Sequence, residues 1–341
     1  MHTTIIISPL KNSITTLTIT YREALNQGLR EALQNDERVF LMGEDVGRYG
    51  GAFAISKGLL QEFGEDRIMD VPLLEAGFVG AGIGAAIAGM KPIIEIMTVN
   101  FGLSAMNQIV NNAARLQHMS GGQLNVPLII RMGSGNGRLL GVPHSHFWES
   151  FYAHIPGLIV LAVGTHEDAR SMLHAALQSS DPVLLFEYTM LLNLEKEIAT
   201  DLPIASLSKA KVLREGKDIS IITYGTGVYK SLEAAAELAS VGIDAEVIDL
   251  RVLRPLDEAT FLASIAKTHR VLIVEDAWRS VSISSEVSAR IMENGFYDLL
   301  APVQRLCGIE VPIPYPLHLE EAAIPQKNDI ISTVKKMIYR N

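Results

Sequence analysis

Short apolar runs alternate with segments of helical period along most of this chain, which confines it to a layered α/β architecture with a largely parallel sheet. Residues 21–33 (YREALNQGLREAL) have helical spacing, and Val39, Phe40, Leu41 and Met42 follow as a buried strand ending in GEDVG. Residues 93–99 are strand-like, 103–119 helical with a close at Ser120, Gly121 and Gly122, and 126–132 strand-like again. Between 187 and 218 the pattern turns polar and irregular. Beyond it lie a strand at 219–223, an Ala-rich helix at 231–240, a strand at 245–250, a helix at 256–268 and a strand at 271–274, a βαβαβ succession. At 341 residues the chain is about twice the usual domain length. The expected division is an extension over 1–16, a first domain over 17–190, a linker over 191–215 and a second domain over 216–341.

Composition narrows the class. With 38 acidic against 29 basic residues, the chain lacks the positive footprint needed to wrap nucleic acid. Cys307 has no partner for an intrachain disulfide, which fits a reducing compartment. The longest apolar run, 76–90, stops between Glu75 and Lys91 and falls short of the ~20 residues that a spanning helix needs, so no membrane crossing is expected. An apolar fraction of 48% is high for a soluble monomer and points to surface buried against other subunits. Residues 1–16 lack arginine and an amphipathic pattern, so they read as a short disordered extension rather than a targeting peptide.

Two segments carry candidate chemistry. In AGFVGAGIGAAIAG, small residues recur at three- and four-residue steps and leave one helix face almost bare. Helix packing explains that face as readily as a ligand does. Glu75 stands at the helix entrance behind Leu73 and Leu74, where an apolar approach would raise its pKa; the plainer reading is an acid favoured by the helix dipole. Residues 131–149 (RMGSGNGRLLGVPHSHFWE) hold four glycines and two histidines, the composition of a loop that carries reactive groups. His144 and His146 with Glu149 or His154 form a weaker alternative, a zinc site. A dinucleotide reading of Gly225, Thr226 and Gly227, with Asp249 on the next strand, competes for the second half, although Lys230 occupies the third glycine position.

Many segments in register resemble the β subunit of thiamine-diphosphate-dependent 2-oxoacid dehydrogenases. They are GEDVGRYGGAF (43–53), DVPLLEAGFVGAGIGAAIAG (70–89), NQIVNNAA with MSGG (107–122) and HSHFWESFYAHIPGL (144–158), then VIDLRVLRPLD (247–257), THRVLIVED (268–276), VPIPYP (311–316) and IPQKNDII (324–331). The resemblance implies a pyrimidine-binding transketolase-like first domain and a transketolase C-terminal-like second domain. It gives Glu75 the task of hydrogen-bonding the aminopyrimidine ring, and His144 that of assisting acyl transfer to a lipoyl group. Glu44, Leu73, Glu75, Met97 and Phe101 are the implied cofactor-binding residues, with Phe101 stacked on the aminopyrimidine. No GDG occurs in the sequence, so Mg²⁺ and the diphosphate are expected on an α subunit, in a tetramer of two α and two β chains. A potassium ion is expected near Ala176 and Asp181.

The implied activity is oxidative decarboxylation of a 2-oxoacid and reductive acylation of the lipoyl domain of a dihydrolipoyl acyltransferase core, by an enzyme active only with its α subunit. Pyruvate is favoured over acetoin and branched-chain oxoacids. The competing class is a non-catalytic relative kept for assembly or docking, encouraged by His146 where Gln is common, by Val71 where Thr is common, and by Ser280 and Val281 where paired glycines are common. The expected location is a bacterial-type cytoplasm, with mitochondrion or plastid open.

Overall fold

The computed structural model describes residues 15–339, and most of the expected N-terminal extension lies outside them. Its strands run in chain order as β1 Thr16–Thr20, β2 Val39–Gly43, β3 Ile68–Asp70, β4 Lys91–Thr98, β5 Ile129–Ser134, β6 Ile159–Val163 and β7 Val183–Tyr188. They continue as β8 Glu195–Ala199, β9 Lys211–Arg214, β10 Ile219–Thr223, β11 Ala245–Asp249, β12 Val252–Arg254, β13 Val271–Trp278 and β14 Gln304–Gly308. Seven form one sheet in the order β12-β6-β7-β5-β4-β2-β3, and five form another in the order β14-β13-β10-β11-β9. Within these two sheets every pairing is parallel except those of the edge strands β12 with β6 and β9 with β11, and β1 and β8 form a separate antiparallel pair. The α/β class with two domains read from the sequence is the observed one.

The interior strands are buried on both faces and mostly apolar, as helices on both sides of a parallel sheet require. In the second sheet Ile219, Ile221, Val247, Leu272 and Val274 pack against the helices Gly227–Ser240 and Lys327–Tyr339. The alternate residues Ile222, Ile248 and Ile273 turn the other way and join the large core that continues through the first domain. Local chemistry fixes the boundaries of several elements. Thr20 and Glu23 form a reciprocal capping box that starts the helix Tyr21–Asn35, and Ser282 with Ser285 starts Ile283–Asn294 in the same way.

The structure departs from the periodicity in three places. The helix expected over 103–119 is a 3₁₀ turn at Phe101–Ala105, a π-helical stretch at Gln108–Ala113 and a short α-helix at Leu116–Met119. The stretch expected as a linker contains β8, which pairs with β1, and β9, which edges the second sheet. Between two strands of the second sheet, β12 crosses to the edge of the first. A short segment records none of these long-range pairings in its own pattern.

Candidate active site at the carboxyl edge of the first sheet

Adjacent strands β3, β2, β4 and β5 all deliver a residue of interest at their carboxyl ends. Glu44 follows β2, Glu75 opens the helix Glu75–Ile87 after β3, Phe101 follows β4, and His144 lies in the loop after β5. The chain runs from β2 outward to β3 and then back to β4 on the other side of β2, so this edge is a topological switch point, where open α/β sheets bind ligands. Gly43 keeps the edge tight, since a Cβ there would lie 2.6 Å from the carbonyl oxygen of Glu95. The Asp70 carboxylate accepts from the amides of Gly47 (2.6 Å) and Arg48 (3.1 Å) and pins the loop after β2 onto β3.

Two carboxylates set the electrostatics. Glu44 is 3% exposed, and neither of its carboxylate oxygens has a hydrogen-bond partner. Burial first, and then the negative charges of Glu75 and Asp45, push its carboxyl up to about 7. A buried acid without a partner costs free energy, so the geometry calls for a hydrogen-bonding group at this spot. Burial therefore falls on Glu44, whereas the approach to Glu75 is open: Leu73 is 76% exposed and Leu74 59% exposed, because both sit in the outward turn ahead of the helix. The dry apolar approach expected for Glu75 is not formed by this chain's own residues. The small-residue face beyond it is likewise bare, and a Cβ at Gly84 would meet nothing within 4 Å. Met97 is half-buried on β4. Phe101 is half-buried and meets the His144 ring edge-on, at 5.3 Å between centroids and 87° between planes.

The loop bearing His144 is closed at its base and held at its tip. Ser134 Oγ donates to Glu149 Oε1 (2.7 Å), and the Gly135 amide donates to the His146 carbonyl (3.0 Å). At the tip the Gly137 amide donates to Glu320 Oε1 of the second domain (2.9 Å), and Thr189 Oγ1 donates to the Asn136 carbonyl (2.6 Å). Burial pushes the Glu149 carboxyl up to about 7, against the hydrogen bonds from Ser134 and Tyr188. His146 is buried, with Nδ1 2.8 Å from Asn100 Nδ2. The zinc alternative fails here, since His144 faces Phe101, His146 bonds Asn100 and Glu149 bonds Ser134 and Tyr188. Among the described residues no group of three or more His, Cys, Asp or Glu could hold a metal ion.

Ala176 ends the helix His166–Ala176 and is buried, while Asp181 enters a turn closed by Ser179 Oγ, which donates to the Asp181 carbonyl and accepts from its amide. Asp181 also borders a cleft of about 900 Å³ between the domains, lined by Arg254, Ser282 and Arg290 among others and by none of the residues at the Glu75 edge.

The carboxyl edge of the second sheet is filled by the chain itself. A Cβ at Gly164 would lie 2.8 Å from the Gly225 carbonyl oxygen, and one at Gly225 would lie 2.3 Å from the Tyr188 ring. Thr226 Oγ1 donates to Asp276, which Lys230 Nζ also reaches at 3.0 Å. Asp249, the acid that a dinucleotide reading would place on a ribose, is fully buried and accepts from the Arg251 amide (3.0 Å). No crevice is left there for a dinucleotide.

A model of the transketolase pyrimidine-binding domain matches residues 18–195, and one of the transketolase C-terminal domain matches residues 208–330. The chain is 44% identical to the mitochondrial pyruvate dehydrogenase E1 component subunit beta-1 of Arabidopsis thaliana, over 95% of this chain and 90% of that protein. It belongs to the pyruvate dehydrogenase E1 β-subunit family. Bacterial members match as well, at 40% identity to the E1 component subunit beta of Rickettsia bellii, over 94% of this chain and 99% of that protein. Among solved structures, a split-gene transketolase described as an inactive β4 tetramer has a TM-score of 0.78 at 20% identity, covering 94% of this chain and 99% of that one, which shows the shared fold. As a member of this thiamine-diphosphate-dependent family, the chain brings Glu44, Glu75, Phe101 and His144 to one edge. Sequence reading missed Asn100, Trp278 and Glu320; Asn100 was within reach as the residue before Phe101, but the other two arrive from the second domain. No helix among the described residues is long and apolar enough to cross a membrane.

Proposed function

We propose that this chain is the β subunit of an acetyl-transferring pyruvate dehydrogenase, which decarboxylates pyruvate oxidatively and passes the acetyl group to the lipoyl group of a dihydrolipoyl acyltransferase. The observation that carries this reading is the orphaned Glu44 carboxylate, buried next to Glu75 at the switch point, because a thiamine ring system offers it hydrogen-bonding nitrogens and the sheet offers none. Bound thiamine diphosphate supplies the electron sink for cleaving the bond between the carboxylate and carbonyl carbons of a 2-oxoacid. The residues of this chain bind and tune. Glu75 accepts a hydrogen bond from the aminopyrimidine ring and holds it in the reactive protonation state, and Glu44 holds a proton beside it near neutral pH. Leu73, Met97 and Phe101 form an apolar seat for the rings. His144, edge-on to Phe101, orients or donates a proton to the acceptor.

The α subunit supplies Mg²⁺ and the diphosphate contacts, in a tetramer of two α and two β chains. Supporting this are the lack of a GDG in the sequence and the open approach at Leu73 and Leu74. Docking to an acyltransferase core and a potassium ion at Ala176 and Asp181 belong to the same reading. The test is pyruvate-dependent reduction of an artificial acceptor by the chain coexpressed with its α partner. Glu75→Gln is expected to lower turnover by about 10²–10⁴-fold with assembly intact. Unchanged turnover would remove the mechanism, and preference for acetoin or a branched-chain oxoacid would reassign the substrate.

A further inference from the structure

The loop after β5 leaves most of its middle in solvent, with Arg138, Leu139 and Leu140 exposed, yet it buries a polar ring: His146 is 8% exposed. The burial comes from the chain's two tryptophans. The His146 ring lies 5.6 Å from Trp148 and 5.2 Å from Trp278. Trp278 belongs to β13, and its Nε1 donates to the Val311 carbonyl (2.8 Å), so this wall of the box is fixed by the second domain. Desolvation lowers the pKa of the imidazole and keeps it neutral.

A neutral imidazole can satisfy one donor and one acceptor, and here one side is used. Nδ1 lies 2.8 Å from the Asn100 amide, whereas Nε2 and Asn100 Oδ1 are buried without partners. The Asn100 contact joins the segment after β4 to the segment after β5. It lies one residue from Phe101 and two from His144, the pair whose rings meet at 5.3 Å. The other anchors of the loop hold its backbone and its ends: the Ser134 to Glu149 bond and the bond from the Gly135 amide to the His146 carbonyl close its base, and the Gly137 to Glu320 and Thr189 to Asn136 bonds hold its tip. None of them engages the His146 side chain, which Asn100 alone joins to the segment after β4.

We infer that His146 is a positioning residue, whose hydrogen bond to Asn100 sets His144 against Phe101 and whose place is set by Trp278 of the second domain. The inference rests on the reading that Phe101 and His144 face the cofactor. It assigns the second domain a direct part in shaping a site built at the edge of the first, with His146 touching neither cofactor nor substrate.

The test uses the cofactor-loaded complex with the α subunit, carrying wild-type chain, His146→Phe, His146→Gln, Asn100→Leu or the double variant His146→Phe with Asn100→Leu. Two readouts are taken: steady-state turnover of pyruvate, which gives kcat and KM, and the rate of tryptic cleavage after Arg138. Phe fills the aromatic box and removes the hydrogen bond, so it is expected to lower kcat by about tenfold, leave KM within about twofold and speed cleavage. Gln can still bond Asn100 and is expected to return both readouts to within about threefold of wild type. Asn100→Leu is expected to reproduce the loss, and the double variant to be no worse than either single one, as for two partners of one interaction. Should His146→Phe fail to assemble, His146→Gln and Asn100→Leu carry the comparison. A wild-type kcat and cleavage rate in His146→Phe or Asn100→Leu would overturn the inference, as would a loss in His146→Gln equal to that in His146→Phe. Glu75→Gln run in parallel separates the two readings. Full turnover in Glu75→Gln removes the cofactor reading, whereas an inactive Glu75→Gln beside an unaffected His146→Phe removes only the positioning role.

Discussion

Two switch points lie in this molecule, built from the same parts and finished in opposite ways. At the carboxyl edge of the first sheet, Glu44 is buried with both oxygens unpartnered, Glu75 stands at a helix entrance, and Leu73 and Leu74 are open. At the corresponding edge of the second sheet, Gly164 and Tyr188 of the first domain pack onto Gly225, and Asp276 is paired with Thr226 and Lys230. Topology alone allows a ligand at either edge. What separates them is how the space is filled: at the second edge Asp249 and Asp276 each accept at least one hydrogen bond and neighbouring residues close the crevice, whereas at the first edge both oxygens of Glu44 are without a partner.

The largest stability effect is expected where the second edge is filled. Gly225 has φ +59° and would place a Cβ 2.3 Å from the Tyr188 ring, so Gly225→Val combines a left-handed backbone with overpacking. Denaturant unfolding of the chain should show a loss of about 3–5 kcal/mol. Tolerance of the valine would mean that the edge is open enough for a ligand, and the contrast between the two edges would disappear.

A smaller effect of opposite sign is expected at the first edge. The folded-state pKa of Glu44 is raised to about 7 from its ordinary 4.5, so the folded chain binds the proton more tightly than the unfolded chain. Stability from this group is fully present below the ordinary pKa and is lost as pH rises through about 7. Glu44→Gln should therefore gain about 1 kcal/mol at pH 8 in the isolated chain and flatten the slope between the two values. A variant less stable than wild type at pH 8 would show that Glu44 has a favourable partner within this chain. Glu149, raised to about 7 by burial, contributes a slope of the same sign that this substitution leaves in place.

Most of the first edge was legible because its residues are short-range. Glu44, Glu75 and His144 each follow a strand or glycine signal within their own segment, and Phe101 follows the apolar run of β4. What was not legible depends on pairing across the chain. Periodicity cannot show that β12 joins the first sheet or that β8 pairs with β1, since both are long-range registers. The expected helix over 103–119 is interrupted by the π-helical stretch Gln108–Ala113, which the apolar period of the segment does not show. The expectation that Leu73 and Leu74 dry the Glu75 pocket mistook apolar residues at an open edge for a wall made by one chain.

The central claim is that the first edge is a cofactor half-site and the second is structural. It is tested most directly by titrating thiamine diphosphate with Mg²⁺ into the reconstituted complex with the α subunit, carrying wild-type chain, Glu75→Gln or Thr226→Ala, with turnover read on the same samples. Thr226→Ala is expected to bind and turn over within about twofold of wild type, since it costs one buried hydrogen bond and leaves Lys230 on Asp276. Glu75→Gln is expected to weaken binding by about tenfold or more and to abolish most turnover. Wild-type binding and turnover in Glu75→Gln, or their loss in a folded Thr226→Ala complex, would contradict the claim.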